Sequence, residues 1–316
     1  MIMKKIFLLL VIFSGYVGKS QNPPAPVNCN VQSNPPDSFP IPDMYVEKTK
    51  GLGRNAEFAY KHRAIKLQKH IDIYDQIFFP VNPFVKMISH FCNDLHFDSL
   101  NIWFAEYPNI PDSFTPPGWQ SKLTVLFNPM KGGVDLGYFT IQDHGSNFHK
   151  LPTSPINVGQ NWINNYDTDI LPILSSTISN DRDNEYPKGS RKYSDTRFIG
   201  YCGEDWIQLL TEINYQNNVV YNDPSYVTGI EVLFSAYDQN GDDEKMPRYR
   251  YRMIAQFDFT TNKNGQDGLF FIDDQIDFLK IRKSKKFICG QQFQSNYKDN
   301  KGFGIDNGQL CPTVCN

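Results

Sequence analysis

Asp143, His144 and His149 are the residues of this chain best suited to chemistry, because two imidazoles and a carboxylate in one short stretch are donors that zinc accepts. The two histidines do not share a helical face at their spacing, and no His-Glu-x-x-His element occurs, so a loop would have to bring them together. A second cluster, Asp238, Asn240 and Asp242, offers the oxygen donors that calcium prefers. It departs from the helix-loop-helix calcium pattern, since glycine stands fourth, at Gly241, and the twelfth position is Tyr249 instead of a glutamate. A solvated hairpin tip accounts for the same composition, because Asp, Asn and Gly favour turns.

Three weaker groupings carry less. His90, Cys92 and His96 lie on or just after a predicted helix and read as surface histidines near a buried thiol. Arg248, Tyr249, Arg250, Tyr251 and Arg252 alternate charge with rings; on a strand the arginines face water and the tyrosines pack inward. Lys280, Arg282, Lys283, Lys285 and Lys286 form a short basic run, read as a solvated face. No Gly-x-Ser-x-Gly elbow and no phosphate-binding glycine loop is present.

The elements that would position these residues repeat. Leu100, Ile102, Phe104 and Tyr107 recur 130 positions later as Ile230, Val232, Phe234 and Tyr237, and the run Leu123 to Phe127 recurs as Met253 to Phe257. Ahead of each strand lies one buried helical face: Phe84, Met87, Ile88 and Phe91, then Trp206, Leu209, Leu210 and Ile213 at an offset of 122. Asn82 is the expected cap of the first helix, with Pro83 at its first position. The extra residues of the second copy fall in the loop holding Asn222, Asp223 and Pro224. A third strand is expected at Phe139, Ile141 and Asp143, matched by Phe270, Ile272 and Asp274. The fold class is therefore α+β, as two related helix-plus-antiparallel-sheet modules that share one sheet or form two. Where one copy has a suggestive cluster the other lacks it, so the repeat weakens each candidate site.

Residues 1–20 read as a signal peptide, with Lys4 and Lys5 before an apolar run to Phe13 and a small-x-small end at Gly18 and Ser20. That run is shorter than the about 20 residues a membrane helix needs, and no later stretch supplies a span. A Pro-rich extended leader covers 21–54 and the first module 55–150. Residues 151–196 hold a helix, interrupted at Pro172, and a polar linker from Ser179 to Ser194; 197–280 form the second module and 281–316 a cysteine-containing tail. The expected location is secreted, periplasmic or at the cell surface. The six cysteines, an even set, suit disulfides there and leave their connectivity open. With 31 basic against 34 acidic residues the chain lacks the basic excess of a nucleic-acid binder.

The ending Leu310, Cys311, Pro312, Thr313, Val314, Cys315 resembles that of a group of bacterial proteins that finish in Leu-Cys-Pro-Pro-x-Cys. They are similar in their helix, a strand of the Ile-x-Phe-x-x-Tyr kind, and a second strand like Leu123 to Phe127. Here Thr313 replaces the second proline, and the helix-strand pattern occurs twice. The resemblance implies a bacterial origin and no activity, since the group has no established function.

The sequence thus favours an exported binding or surface-assembly protein over an enzyme, with a protein or cell-envelope component as partner. A secreted hydrolase with a site near Asp143 to His149 is the alternative. No cofactor is required; zinc and calcium are the ions the two clusters would suit.

Overall fold

The computed structural model describes residues 45–47, 70, 76–142, 144–182, 195–215, 217–218, 222–223, 225–236, 252–261, 303–305 and 309–311. They form an α+β arrangement of antiparallel sheets and a few helices. After the short strand β1 (Tyr45–Glu47), strand β2 (Gln76–Pro80) runs without a loop into helix α1 (Val81–His90). The cap position therefore falls on Pro80, not on Asn82, and no side chain closes it. A proline there needs no partner for a missing N–H, and its fixed φ turns the chain from strand to helix. Phe84, Met87 and Ile88 are buried as their spacing predicts, and buried Phe91 opens a π-helical turn, Phe91–Leu95. Cys92 is buried, and like Cys202 it has no free thiol.

Strands β3 (Ser99–Glu106) and β4 (Leu123–Lys131) pair antiparallel, followed by β5 (Val134–Asp135), β6 (Phe139–Ile141) and β7 (Phe148–Lys150). Helix α2 (Val158–Asn165) begins at Asn157, whose side chain accepts from the Gln160 N–H at 3.0 Å. It passes through a π-helical turn, Tyr166–Ile170, into helix α3 (Leu171–Arg182). The interruption expected at Pro172 thus precedes it: a proline cannot donate to the turn before it, and the wider π turn takes up that loss. Ser179 to Arg182, expected to open the linker, continue α3, and the remainder of that run lies outside the described residues.

Strand β8 (Phe198–Cys202) leads directly into helix α4 (Gly203–Tyr215), whose Trp206, Leu209, Leu210 and Ile213 are all buried. Strands β9 (Val227–Ala236) and β10 (Met253–Thr261) follow, then β11 (Phe303–Ile305) and β12 (Gln309–Cys311). Phe270, Ile272 and Asp274 lie outside the described residues; the strand beside β10 is β11, paired through Phe257 and Ile305. Arg252 is buried, against the expectation that it faces water, and Arg248 to Tyr251 lie outside the described residues. It adjoins Met253, whose N–H donates to the Asp195 carboxylate at 2.7 Å, so this end of β10 is drawn into an acidic, buried setting.

Two sheets result, one in the order β1-β11-β10-β9-β2, the other β12-β8-β3-β4-β6-β7 with β5 on β4. The strand before each helix pairs away from the hairpin that follows that helix. β2 pairs with β9, with Phe79 opposite Ile230 and Ile77 opposite Val232. β8 pairs with β3, with Tyr201 opposite Leu100 and Ile199 opposite Ile102. These pairs correspond residue for residue under the sequence offsets of 122 and 130. The hairpins correspond too: Ile102 faces Phe127 and Val232 faces Phe257; Glu106 faces Leu123 and Ala236 faces Met253.

The main core gathers inward residues of both sheets with α1 and α4, and burying each large side chain contributes about 1.5–3 kcal/mol. Within it Phe84 meets Trp206 at 6.0 Å, Phe104 meets Phe234 at 6.3 Å and Phe127 meets Phe257 at 6.4 Å between ring centroids. A smaller cluster on the other face of β3 and β4 packs Ala105, Tyr107 and Leu126 against Trp162 and Ile163 of α2. Gly159 permits that approach, since a Cβ there would stand 2.5 Å from the Tyr138 ring. Among the described residues no helix is long and apolar enough to cross a membrane.

Candidate functional site

The alternation of β3 sends Leu100, Ile102, Phe104 and then Glu106 to one face, so an apolar stripe ends in a buried carboxyl group. The matching stripe of β9 is Ile230, Val232, Phe234 and Ala236, which places no acid there. Glu106 is 1% exposed, and such a group is retained only where something offsets its desolvation. That partner is His70, whose Nδ1 lies 2.9 Å from Glu106 Oε1. The imidazole is held in place because the Leu123 N–H donates to the His70 carbonyl, and Leu123 is the residue opposite Glu106 in the β3–β4 ladder.

The Ser121 carbonyl lies 3.2 Å from the same His70 nitrogen. Ser121 adopts a left-handed backbone, φ 55°, uncommon for a residue with a side chain. Its N–H donates to the Tyr107 carbonyl, and the Tyr107 N–H to that of Lys122, closing the hairpin base. A carbonyl can only accept, so Nδ1 carries the hydrogen, shared between Ser121 and Glu106. Nε2 is then the basic nitrogen of the neutral ring; it has no hydrogen bond among the described residues, and the side chain is 15% exposed.

Burial pushes Glu106 up to about 7, a rise that His70 opposes and the charge of Asp169 reinforces. Its second oxygen, Oε2, is buried and has no hydrogen bond among the described residues. Asp169 comes from the π turn after α2, and Asn165 at the end of α2 donates to the Glu106 carbonyl at 3.4 Å. Beside them Arg197 donates from Nε to Asp167 at 2.9 Å, while its carbonyl accepts the Phe104 N–H at 2.9 Å. The site is thus an acid and an imidazole at a strand end, enclosed by one turn of helix and one hairpin base. Such a pair can hold, release or accept a proton.

The sequence candidates occupy other places. His144 is exposed and left-handed, φ 53°, with its ring 4.8 Å from that of Phe78 and its N–H donating to the Phe78 carbonyl at 2.9 Å. His149 lies on β7 opposite Thr140, its ring edge-on to Phe114 at 5.8 Å. The two imidazoles rest against different aromatic partners. Asp143 lies outside the described residues, as do Asp238, Asn240, Asp242 and the basic run from Lys280 to Lys286. Among the described residues no three His, Cys, Asp or Glu side chains come together as a metal site. His90 lies 2.6 Å from Asp94, one helical turn on, and packs against Phe139 and Phe148; His96 Nδ1 lies 3.2 Å from the Cys92 carbonyl.

Sequence reading passed over Glu106 and His70. One signal was present: an acid on the inward parity of a strand, at a position whose counterpart 130 residues on is Ala236. Compared with known protein families, with curated proteins and with solved structures, the chain finds no match.

Proposed function

We propose that the chain is an exported bacterial protein, secreted, periplasmic or on the cell surface, that acts by binding a protein or cell-envelope component. We further read it as two copies of one strand-helix-hairpin unit, related by an approximate two-fold axis, each lending its first strand to the other's sheet. The matched registers support that reading, and so do the contacts of Phe84, Phe104 and Phe127 with their own counterparts, as expected of residues beside such an axis.

The observation that carries the binding role is the exposure of three aliphatic side chains, two on loops and one on the two-residue strand β5, of a closely packed scaffold. Ile110 is 83% exposed in the β3–β4 loop, Val134 62% at the start of the short strand β5, and Ile156 58% in the loop before α2. Loops on a rigid frame are where recognition concentrates, and each of these side chains leaves most of its apolar surface open to a partner. All three lie outside the matched positions of the repeat.

The test is capture from the native cell envelope by the full chain and by a triple variant, Ile110→Ser, Val134→Ser and Ile156→Ser. Loss of a specific, saturable partner from the variant, with unchanged circular dichroism, is the expected result; equal retention defeats the reading. Metal analysis supplies the second arm. Stoichiometric zinc in the purified protein, lost in either His144→Ala or His149→Ala, would favour the hydrolase alternative instead.

A further inference from the structure

We propose that His70 and Glu106 form a proton-accepting site, with His70 Nε2 as the base and Glu106 as the residue that positions it, for a ligand presenting a hydroxyl group or a bound water. The inference is independent of the binding role proposed above. It stands on three features of the geometry.

The first is the fixed ring. Nδ1 faces a carboxyl oxygen at 2.9 Å and a carbonyl oxygen at 3.2 Å, which commits its hydrogen inward and leaves the lone pair on Nε2. The second is placement: the backbone of His70 is hydrogen-bonded to Leu123, so the imidazole is anchored at both its main chain and its ring. The third is the electrostatic setting. The Glu106 carboxyl lies 2.9 Å from Nδ1, so an imidazolium formed at His70 has its carboxylate form as a counter-ion within hydrogen-bond distance. A histidine packed only for stability has no need of a buried carboxyl with one oxygen unpaired, since an apolar side chain at that position, as Ala236 is in the other hairpin, avoids the desolvation.

The step is a proton transfer. The hydrogen of the ligand's hydroxyl or water moves to Nε2, the electron pair of the O–H bond stays on oxygen, and the imidazolium is held by Glu106. No oxidant, reductant or metal is involved.

The experiment uses the full chain labelled with nitrogen-15. Ring-nitrogen NMR reports which nitrogen of neutral His70 carries hydrogen, and diethyl pyrocarbonate, which transfers its carbethoxyl group to a basic imidazole nitrogen with loss of ethanol and carbon dioxide, reports reactivity by mass spectrometry. The Nδ1–H form is expected, with Nε2 of His70 reacting about tenfold faster than the exposed His96, a modest share of what a positioned base can contribute. Glu106→Gln should bring that rate down to the level of His96, and Glu106→Asp should restore part of it. A predominant Nε2–H form in the unmodified chain overturns the proposal without any variant having to fold. So does a His70 rate that Glu106→Gln leaves unchanged while circular dichroism shows the fold intact.

Discussion

Placing a carboxyl group at the inward end of β3 has a cost that varies with pH. Because Glu106 is held at about 7 against an ordinary 4.5, the folded chain binds its proton more tightly than the unfolded chain does. Its contribution to stability is therefore complete below about pH 4.5 and is lost as pH rises to about 7. Glu106→Gln removes this loss, so relative to the unmodified protein the variant should gain about 1–3 kcal/mol between pH 5 and pH 8 in denaturant titrations. A difference that does not change across that interval counts against a buried, proton-binding Glu106. The acid itself was legible, since alternation from Leu100 through Phe104 assigns position 106 to the core. Its partner was not: His70 is 36 residues away, and a linear pattern does not mark which distant side chain returns to a strand end. His144 and His149 were conspicuous for the opposite reason, being near each other in sequence while their rings pack on different neighbours.

At the scale of elements, two positions test how the sheets are joined. A Cβ at Gly229 would stand 2.4 Å from the Phe78 ring and 2.6 Å from the Phe79 carbonyl oxygen, so β2 leaves no space for one. Gly229→Ala should cost about 1–3 kcal/mol through overpacking, and a neutral result in equilibrium unfolding would show that β2 does not lie against β9 this closely. Asp195 is the other test. Its Oδ1 accepts the Thr196 and Met253 N–H groups at 2.7 Å each, pinning the segment before β8 to the start of β10. Asp195→Ala leaves those two buried donors without that acceptor and should cost about 2–4 kcal/mol, with Asp195→Asn recovering part. The apolar faces of α1 and α4 and the alternation that opens β3 were readable from periodicity, while β4 and β9, buried on both faces, showed as continuous apolar runs. The N-terminus of α1 and the π turn before Pro172 were not, since both depend on what the adjoining backbone does. The pairing of β2 with β9 was hidden too: a strand's pattern tells which face is buried and is silent about its neighbour.

For the molecule as a whole, each sheet joins strands from early and late in the chain, β2 with β9 and β8 with β3, so neither half has its full complement of strands alone. Unfolding should be one cooperative transition, with calorimetric and van't Hoff enthalpies in agreement; two resolved transitions would mean the spans are independent. Phe104→Ala and Phe234→Ala should each cost about 3–5 kcal/mol, and because the rings meet, the double variant should deviate from additivity by about 0.5–1.5 kcal/mol. The strand arrangement also bears on how the chain reaches its native state. Synthesis proceeds from the N-terminus, so the β3–β4 hairpin is complete well before β8 exists to cover its edge, and β2 must wait longer still for β9. Contacts this far apart in sequence slow folding, and an uncovered strand edge invites association with other chains in the meantime. A nascent first half is thus the stage at which this protein would most depend on a chaperone, and the arrival of β8 and β9 the event that ends that dependence.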